Sequence, residues 1–293
     1  MASRPGTTGR APLRWLITGA AGMLGRDLQQ VLAEQGVTDV VAAGHTDLDI
    51  TSPAQVRAAV AGADIVINAA AWTDVDRAES EEPDATAVNG DAVALLASVA
   101  GSRLIHVSTD YVFDGRATTP YPEDTPYAPV NAYGRGKAAG EAAVLSHGGY
   151  VVRTAWLYGA HGRNFVKTML TLASSHPHVD VVDDQEGPPT WSYALAGQLV
   201  ALSRAASDGR AAPGAYHGTA AGSTTWYGLA RAVYEEAGLD PSRVRPTTSD
   251  RFPRPAQRPA YSVLSHARWS CTDVKPLPHW RDQLAEALPH LLP

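Results

Sequence analysis

Short apolar runs alternate along the first half of the chain with stretches whose apolar positions recur every three or four residues, the mark of strands and helices in succession. Residues 14–18 read as a first strand, followed by a glycine-rich turn and a helix over about residues 22–35 that Gly36 is placed to end. Val40-Val41-Ala42-Ala43 predicts a short second strand. Thr51-Ser52-Pro53 predicts a helix start, with a hydroxyl cap and proline in the first turn. A third strand over residues 64–68 runs into Ala69-Ala70-Ala71. Residues 83–100 then read as a helix, 104–107 as a strand, 132–146 as a helix and 150–153 as a strand. This alternation predicts an α/β fold with a parallel sheet flanked by helices.

From about Leu157 the rhythm changes. Glycines, prolines and aromatics become frequent, as in Asp184-Gln185-Glu186-Gly187-Pro188-Pro189-Thr190, and residues 251–259 form a loop rich in proline and arginine. Such a second half suits a smaller substrate-binding subdomain grown from the carboxyl edges of the strands. The expected division is a disordered tail over residues 1–12, a dinucleotide-binding domain over 13–156, and the remainder of the sheet interleaved with the substrate-binding subdomain over 157–293.

Composition adds limits rather than direction. The chain of 293 residues is long enough to bury a large core, and a formal charge of -6 gives no reason to expect nucleic acid or an anionic membrane. Cys271 is the only cysteine, so no internal disulfide forms and a cytoplasmic enzyme is the simple reading. No apolar run approaches the length of a membrane span, and residues 1–12 lack the apolar stretch of a signal peptide.

The chemistry lies in three places. Gly19-Ala20-Ala21-Gly22-Met23-Leu24-Gly25 follows a strand and opens a helix, where glycines permit a tight turn and the helix N-terminus attracts a pyrophosphate. Its spacing is G-x-x-G-x-x-G, so the G-x-G-x-x-G dinucleotide fingerprint is not matched outright. After the second strand comes His45 instead of an acid for the ribose hydroxyls. This removes a repulsion against a 2′-phosphate and favours NADPH over NADH, although His45 also reads as a plain loop residue.

Ser108-Thr109 sits just past a strand, where a hydroxyl can polarise a carbonyl. Tyr133 and Lys137 are four residues apart on a helix and face the same way, and an ammonium beside a phenol makes it easier to ionise. Alone that pair is mostly a solvated helix face; after the other two motifs it reads as a proton-transfer set. The acidic run from Asp74 to Glu82 reads as a solvated loop and helix start. His45, His106, His161, His176, His178 and His217 have no metal-ligand spacing, and no G-x-S-x-G elbow supports a hydrolase.

Together these residues resemble the extended short-chain dehydrogenase/reductases with their Rossmann-type doubly wound parallel sheet, and more closely the dTDP-4-dehydrorhamnose reductase family. The resemblance runs from about Arg14 to Leu264. It includes Asp47-Leu48-Asp49-Ile50-Thr51, Asn68-Ala69-Ala70-Ala71-Trp72-Thr73-Asp74, Ser108 to Gly115, and Asn131-Ala132-Tyr133-Gly134-Arg135-Gly136-Lys137. It continues through Arg153-Thr154-Ala155-Trp156-Leu157-Tyr158-Gly159, Asn164-Phe165-Val166 and Arg258-Pro259-Ala260-Tyr261. It implies hydride transfer from NADPH, or NADH, to the C4 ketone of a dTDP-linked 6-deoxy-L-hexulose. Tyr133 would donate the proton, Lys137 would lower the tyrosine pKa and hold the nicotinamide ribose, and Thr109 would bind the ketone oxygen.

The implied cofactor set is Gly19, Gly22, Met23, Leu24, Gly25, His45, Asp49, Ile50, Asn68, Ala69 and Ala70, with Asn89 beneath, besides Tyr133 and Lys137. Asp110, Tyr111, Trp156, Asn164 and Arg258 join Thr109 on the substrate side. Related sugar-nucleotide 4,6-dehydratases carry an Asp-Glu pair after the hydroxyl residue; here Tyr111 replaces the glutamate and leaves no acid for water elimination. Some relatives dimerise through Mg²⁺ held by acidic residues. Asp27 fits such a role, but Tyr193 stands where another hard oxygen ligand is needed, so the expectation is no structural metal and a monomer or weak homodimer. Three other readings stay open: a ketoreductase for another dTDP-deoxysugar in secondary metabolism, a 4-epimerase that retains its nicotinamide, and a non-catalytic cofactor-binding subunit like the β subunit of methionine adenosyltransferase.

Overall fold

The computed structural model describes residues 12–292, so the expected tail, apart from Pro12, lies outside the described residues. The first half runs β1 (Trp15–Thr18), α1 (Met23–Glu34), β2 (Val40–Ala43), α2 (Pro53–Val60), β3 (Ile65–Asn68), α3 (Glu82–Thr86), α4 (Ala92–Ala100), β4 (Leu104–Thr109), α5 (Ala132–Ser146) and β5 (Tyr150–Thr154). The second half adds β6 (Leu157–Tyr158), α6 (Phe165–Ser175), β7 (Val179–Val182), β8 (Glu186–Gly187), β9 (Thr190–Trp191), α7 (Ser192–Ser207) and β10 (Gly214–His217). It closes with β11 (Thr224–Thr225), α8 (Trp226–Glu236), β12 (Val244–Thr247) and α9 (Trp280–Ala287).

Six strands form one parallel sheet in the order β10-β5-β4-β3-β1-β2. Side chains on a strand alternate between faces, and both faces here are apolar because both are covered by helices. Trp15, Ile17, Ile65, Ile67 and Val152 pack with Leu28 and Leu32 of α1 and Leu195 and Leu199 of α7. Their neighbours Leu16, Val66, Leu104 and Val151 pack with Val56 and Val60 of α2, Val93 and Leu96 of α4, and Val144 of α5. The second half therefore supplies one strand and one covering helix of the sheet. The remaining elements build a separate core in which Val166, Met169, Leu229, Val233, Trp280 and Leu284 meet.

Strand order reverses at β1 and β3, the place where open parallel sheets leave a crevice at their carboxyl ends. Three local expectations change. The helix expected over residues 83–100 is α3 and α4 joined by a π-helical turn, Ala87–Asp91. That turn presses the carbonyl of Asn89 against α5 so closely that a Cβ at Gly140 would stand 2.2 Å from it. The strand expected to stop at residue 107 continues through Ser108 and Thr109. The hydroxyl cap expected at the start of α2 is absent: Ser52 makes no side-chain cap bond, and Thr51 instead donates its amide and hydroxyl to Asp49 Oδ1 at 2.9 and 2.7 Å.

Candidate active site

The crevice is a cleft of about 900 Å³ whose walls come from the ends of β1, β3, β4 and β5, from α5, and from the second half of the chain. Its floor at β1 is the glycine turn. Gly19 has φ +69°, and a Cβ there would lie 2.6 Å from the Ala70 nitrogen at the end of β3. A Cβ at Gly25 would lie 2.3 Å from the Gly19 carbonyl oxygen. Missing side chains thus bring β1, β3 and the N-terminus of α1 to backbone contact, leaving the open helix end facing the cleft. That cradle suits a pyrophosphate. Gly19, Gly22, Met23, Leu24 and Gly25 all line it, as do the exposed His45 with Asp49 and Ile50 beyond β2, and Ala69 and Ala70 beyond β3.

On the far side Thr109, Asp110 and Tyr111 end β4, and Tyr133 and Lys137 face them from α5. Helix α5 starts there because Asn131 caps it, accepting the Gly134 amide at 2.8 Å while its own side-chain amide donates to Gln257 O at 2.8 Å. Gly134 lets the helix touch the turn after β4, where a Cβ would be 2.2 Å from the Tyr111 carbonyl oxygen. The Tyr111 and Tyr133 rings then meet edge to face, centroids 5.6 Å apart.

Asp110 is buried. It accepts the Ser262 hydroxyl at 2.5 Å and the Thr109 hydroxyl at 2.9 Å, and burial pushes its carboxyl up to about 6 despite both bonds. The Tyr133 phenol is pushed well above its ordinary value, first by burial and then by the Asp110 carboxylate, with the Thr109 hydroxyl pulling it back in part. Lys137 is not among the groups that act on the phenol in the unliganded chain. Lys137 Nζ donates instead to Val107 O at 2.7 Å and meets His106 Nε2 at 3.2 Å, drawn back onto β4. Burial brings the lysine itself down to about 8, against a raising influence from Glu141.

Trp156 lines the cleft in a left-handed conformation, φ +49°, the only non-glycine so placed among the described residues. It is held by stacking on Trp226, ring centroids 3.6 Å apart and planes 6° from parallel, and by Gly187, where a Cβ would strike the indole at 2.5 Å.

Four expected site residues do not line the cleft, and each has another task. Asn68 is buried, accepting from Thr18 Oγ1 at 2.6 Å and the Ala70 amide at 3.1 Å. Asn89, in the π turn, accepts the Trp72 amide at 2.9 Å and donates to Trp72 O at 3.0 Å, fixing the strand end rather than facing the space. Asn164 caps α6, accepting the Lys167 amide at 3.1 Å and donating to Gly159 O at 2.8 Å. Arg258 pairs with Asp76 at 3.1 Å.

Three lining residues were not singled out from the sequence: Trp226, Arg163 and Thr154, whose hydroxyl, like that of Ser108, is buried without a hydrogen-bond partner. Thr154 follows from the strand-end rule already applied to Thr109, and Arg163 adjoins the Asn164-Phe165 motif; no local signal marks Trp226. Asp27 accepts the Ser192 hydroxyl and lies 3.7 Å from His161 Nε2, while Tyr193 donates to Glu34. Among the described residues no group of three or more His, Cys, Asp or Glu could hold a metal ion, and no helix is long and apolar enough to cross a membrane.

Comparison with known proteins gives a consistent picture. The family model described as RmlD substrate binding domain matches residues 13–292. A probable dTDP-4,6-dihydroxy-2-methyloxan-3-one 4-ketoreductase of Streptomyces antibioticus is 51% identical over 290 residues, 96% of each chain. A dTDP-4-dehydrorhamnose reductase of Streptomyces griseus is 51% identical over 95% of this chain and 94% of its own. Among solved structures, a dTDP-4-dehydrorhamnose reductase of Bacillus anthracis in complex with NADP superimposes with a TM-score of 0.88 at 34% identity, covering 94% of this chain and 99% of that one.

Proposed function

The chain belongs to the RmlD substrate binding domain family, and we propose that it is an NADPH-dependent nucleotide-sugar ketoreductase acting on the C4 ketone of a dTDP-4-dehydro-6-deoxy-L-hexose, with dTDP-4-dehydro-L-rhamnose as the preferred substrate and dTDP-L-rhamnose as product. The observation that carries the reading is the Tyr133 phenol, held protonated by burial and by Asp110 and facing Thr109 in a cleft whose other end is a pyrophosphate cradle.

The nicotinamide cofactor, when bound, supplies the hydride. Gly19, Gly22 and Gly25 with the N-terminus of α1 would hold its diphosphate, His45 its 2′-phosphate, and Ala69 and Ala70 its ribose side. Thr109 would orient the ketone by turning its hydroxyl, which donates to Asp110 in the unliganded chain, to the ketone oxygen. Tyr133 delivers the proton to that oxygen, and burial with the Asp110 carboxylate keeps it a full phenol in the unliganded chain. Lys137 lies one helical turn behind Tyr133, within the wall where the nicotinamide ribose would rest. Trp156 and Trp226 offer a flat apolar wall for the sugar. The reading includes a cytoplasmic location and a monomer or weak homodimer.

The same chemistry on another dTDP-deoxysugar is the second reading, favoured by the equal likeness to the Streptomyces antibioticus relative. The purified protein, incubated with NADPH and enzymatically generated dTDP-4-dehydro-L-rhamnose, should consume reduced nicotinamide and yield dTDP-L-rhamnose. Binding of NADPH without turnover would overturn this substrate and leave another ketosugar or a regulatory role.

A further inference from the structure

We infer that His106 is a positioning residue for the proton-transfer site, its Nε2–H binding the amine form of Lys137 on β4 in the unliganded chain and so favouring loss of the lysine's proton. The inference takes Lys137 as part of the catalytic set from the proposed function, but its protonation argument stands apart from that reading.

Asn68 Oδ1 faces the Ala70 backbone N–H at 3.1 Å, and a backbone N–H can only donate. The oxygen of the Asn68 amide is thereby fixed on that side, where it also takes the Thr18 hydroxyl at 2.6 Å. The amide nitrogen, a donor only, must then be the atom 2.9 Å from His106 Nδ1. Nδ1 is therefore an acceptor and carries no proton. His106 is fully buried, which disfavours its charged form, so the ring's single proton sits on Nε2. That N–H points at Lys137 Nζ, 3.2 Å away. An ammonium has no lone pair, so the contact is a hydrogen bond only if Lys137 is the uncharged amine, accepting from His106 while donating to Val107 O at 2.7 Å.

The surrounding groups leave this balance in place. Glu141, one turn further along α5, favours a charged lysine, but its carboxylate is paired with Arg153 at 2.8 Å. Asp110, past the end of β4, is bound by Ser262 and Thr109, and Tyr133 is a neutral phenol. A lysine that takes up a proton loses His106 as a partner and is free to turn from β4 toward the cleft. Charge at Lys137 and its position are thus linked through a histidine that does not line the cleft.

The chain contains three lysines, Lys137, Lys167 and Lys275, so ¹³Cε-lysine spectra are simple to assign. The ligand-free protein should show Lys137 titrating about one pH unit or more below the other two, and ¹⁵N-histidine spectra should show His106 as the Nε2–H tautomer. His106→Gln, whose carbonyl can turn to accept from an ammonium, should raise the Lys137 titration by about one pH unit and move the alkaline limb of kcat/KM with it. Lys137 titrating with the other lysines, or a proton on His106 Nδ1, overturns the inference even if the variant does not fold. A chain without ketoreductase activity that still gives these spectra would instead count against the functional reading alone.

Discussion

The Ser262 hydroxyl donates a 2.5 Å hydrogen bond to the Asp110 carboxylate across 152 residues of sequence, tying the C-terminal segment to the end of the strand that presents Thr109. Asp110 is buried, so this donor is one of the few groups replacing water around its charge. Ser262→Ala should cost about 1–3 kcal/mol in urea unfolding at neutral pH and push the Asp110 carboxyl above its present value of about 6. An unchanged unfolding midpoint would show that the bond does not support the site.

Asp110 also gives stability a pH dependence with a definite sign. Its carboxyl is at about 6 in the folded chain against 3.8 for the free group, so between those values the folded state keeps a proton that the unfolded state has lost. The contribution of this group is greatest below about 3.8, declines as pH rises to about 6, and is level above. The difference amounts to on the order of 3 kcal/mol. Unfolding free energies of wild type minus Asp110→Asn, measured from pH 4 upward, should fall by a comparable amount toward about pH 7. A difference that stays flat contradicts the burial argument.

The glycine cradle makes a steric prediction. Gly25→Ala places a methyl 2.3 Å from the Gly19 carbonyl oxygen and 2.6 Å from Ala20 Cα, both backbone atoms that cannot turn aside. The turn must open, and binding of NADPH should weaken by about tenfold or more, roughly 1.4 kcal/mol. Gly36→Ala is the contrast: φ there is +72° but a Cβ meets nothing within 4 Å, so stability falls through backbone strain while cofactor affinity holds. Calorimetric titration of both variants separates the two effects.

His45 lines the cleft beyond β2, with Asp49 near it. His45→Asp should reverse the cofactor preference, since the carboxylate accepts from a 2′-hydroxyl and repels a 2′-phosphate. The ratio of kcat/KM for NADPH over NADH should drop by about tenfold or more, and equal ratios in the two proteins would place the 2′-phosphate elsewhere.

What the sequence made legible was local. The glycine turn, Thr109 at a strand end and the Tyr133–Lys137 spacing each occupy a few residues whose geometry follows from the element they sit on, and all reach the cleft. Trp226 was hidden because it enters from the start of α8, brought to Trp156 by the antiparallel pairing of β8 with β11. Asn68 and Asn89 lie beside lining residues in sequence, but their amides are consumed by backbone and hydroxyl partners that only the folded strands supply. The π turn was equally invisible, since nothing in an apolar helical pattern marks one extra residue in a turn. The pull of Lys137 toward β4 depends on His106 and Val107, whose facing atoms no spacing on α5 reveals.

The central claim is that Tyr133 supplies the proton for ketone reduction, and Tyr133→Phe tests it most directly because the ring that packs against Tyr111 is kept. Single-turnover oxidation of NADPH with dTDP-4-dehydro-L-rhamnose should slow by about 10²–10⁴-fold while NADPH affinity stays within about twofold of wild type. A variant that turns over at the wild-type rate would remove Tyr133 from the chemistry and contradict the account.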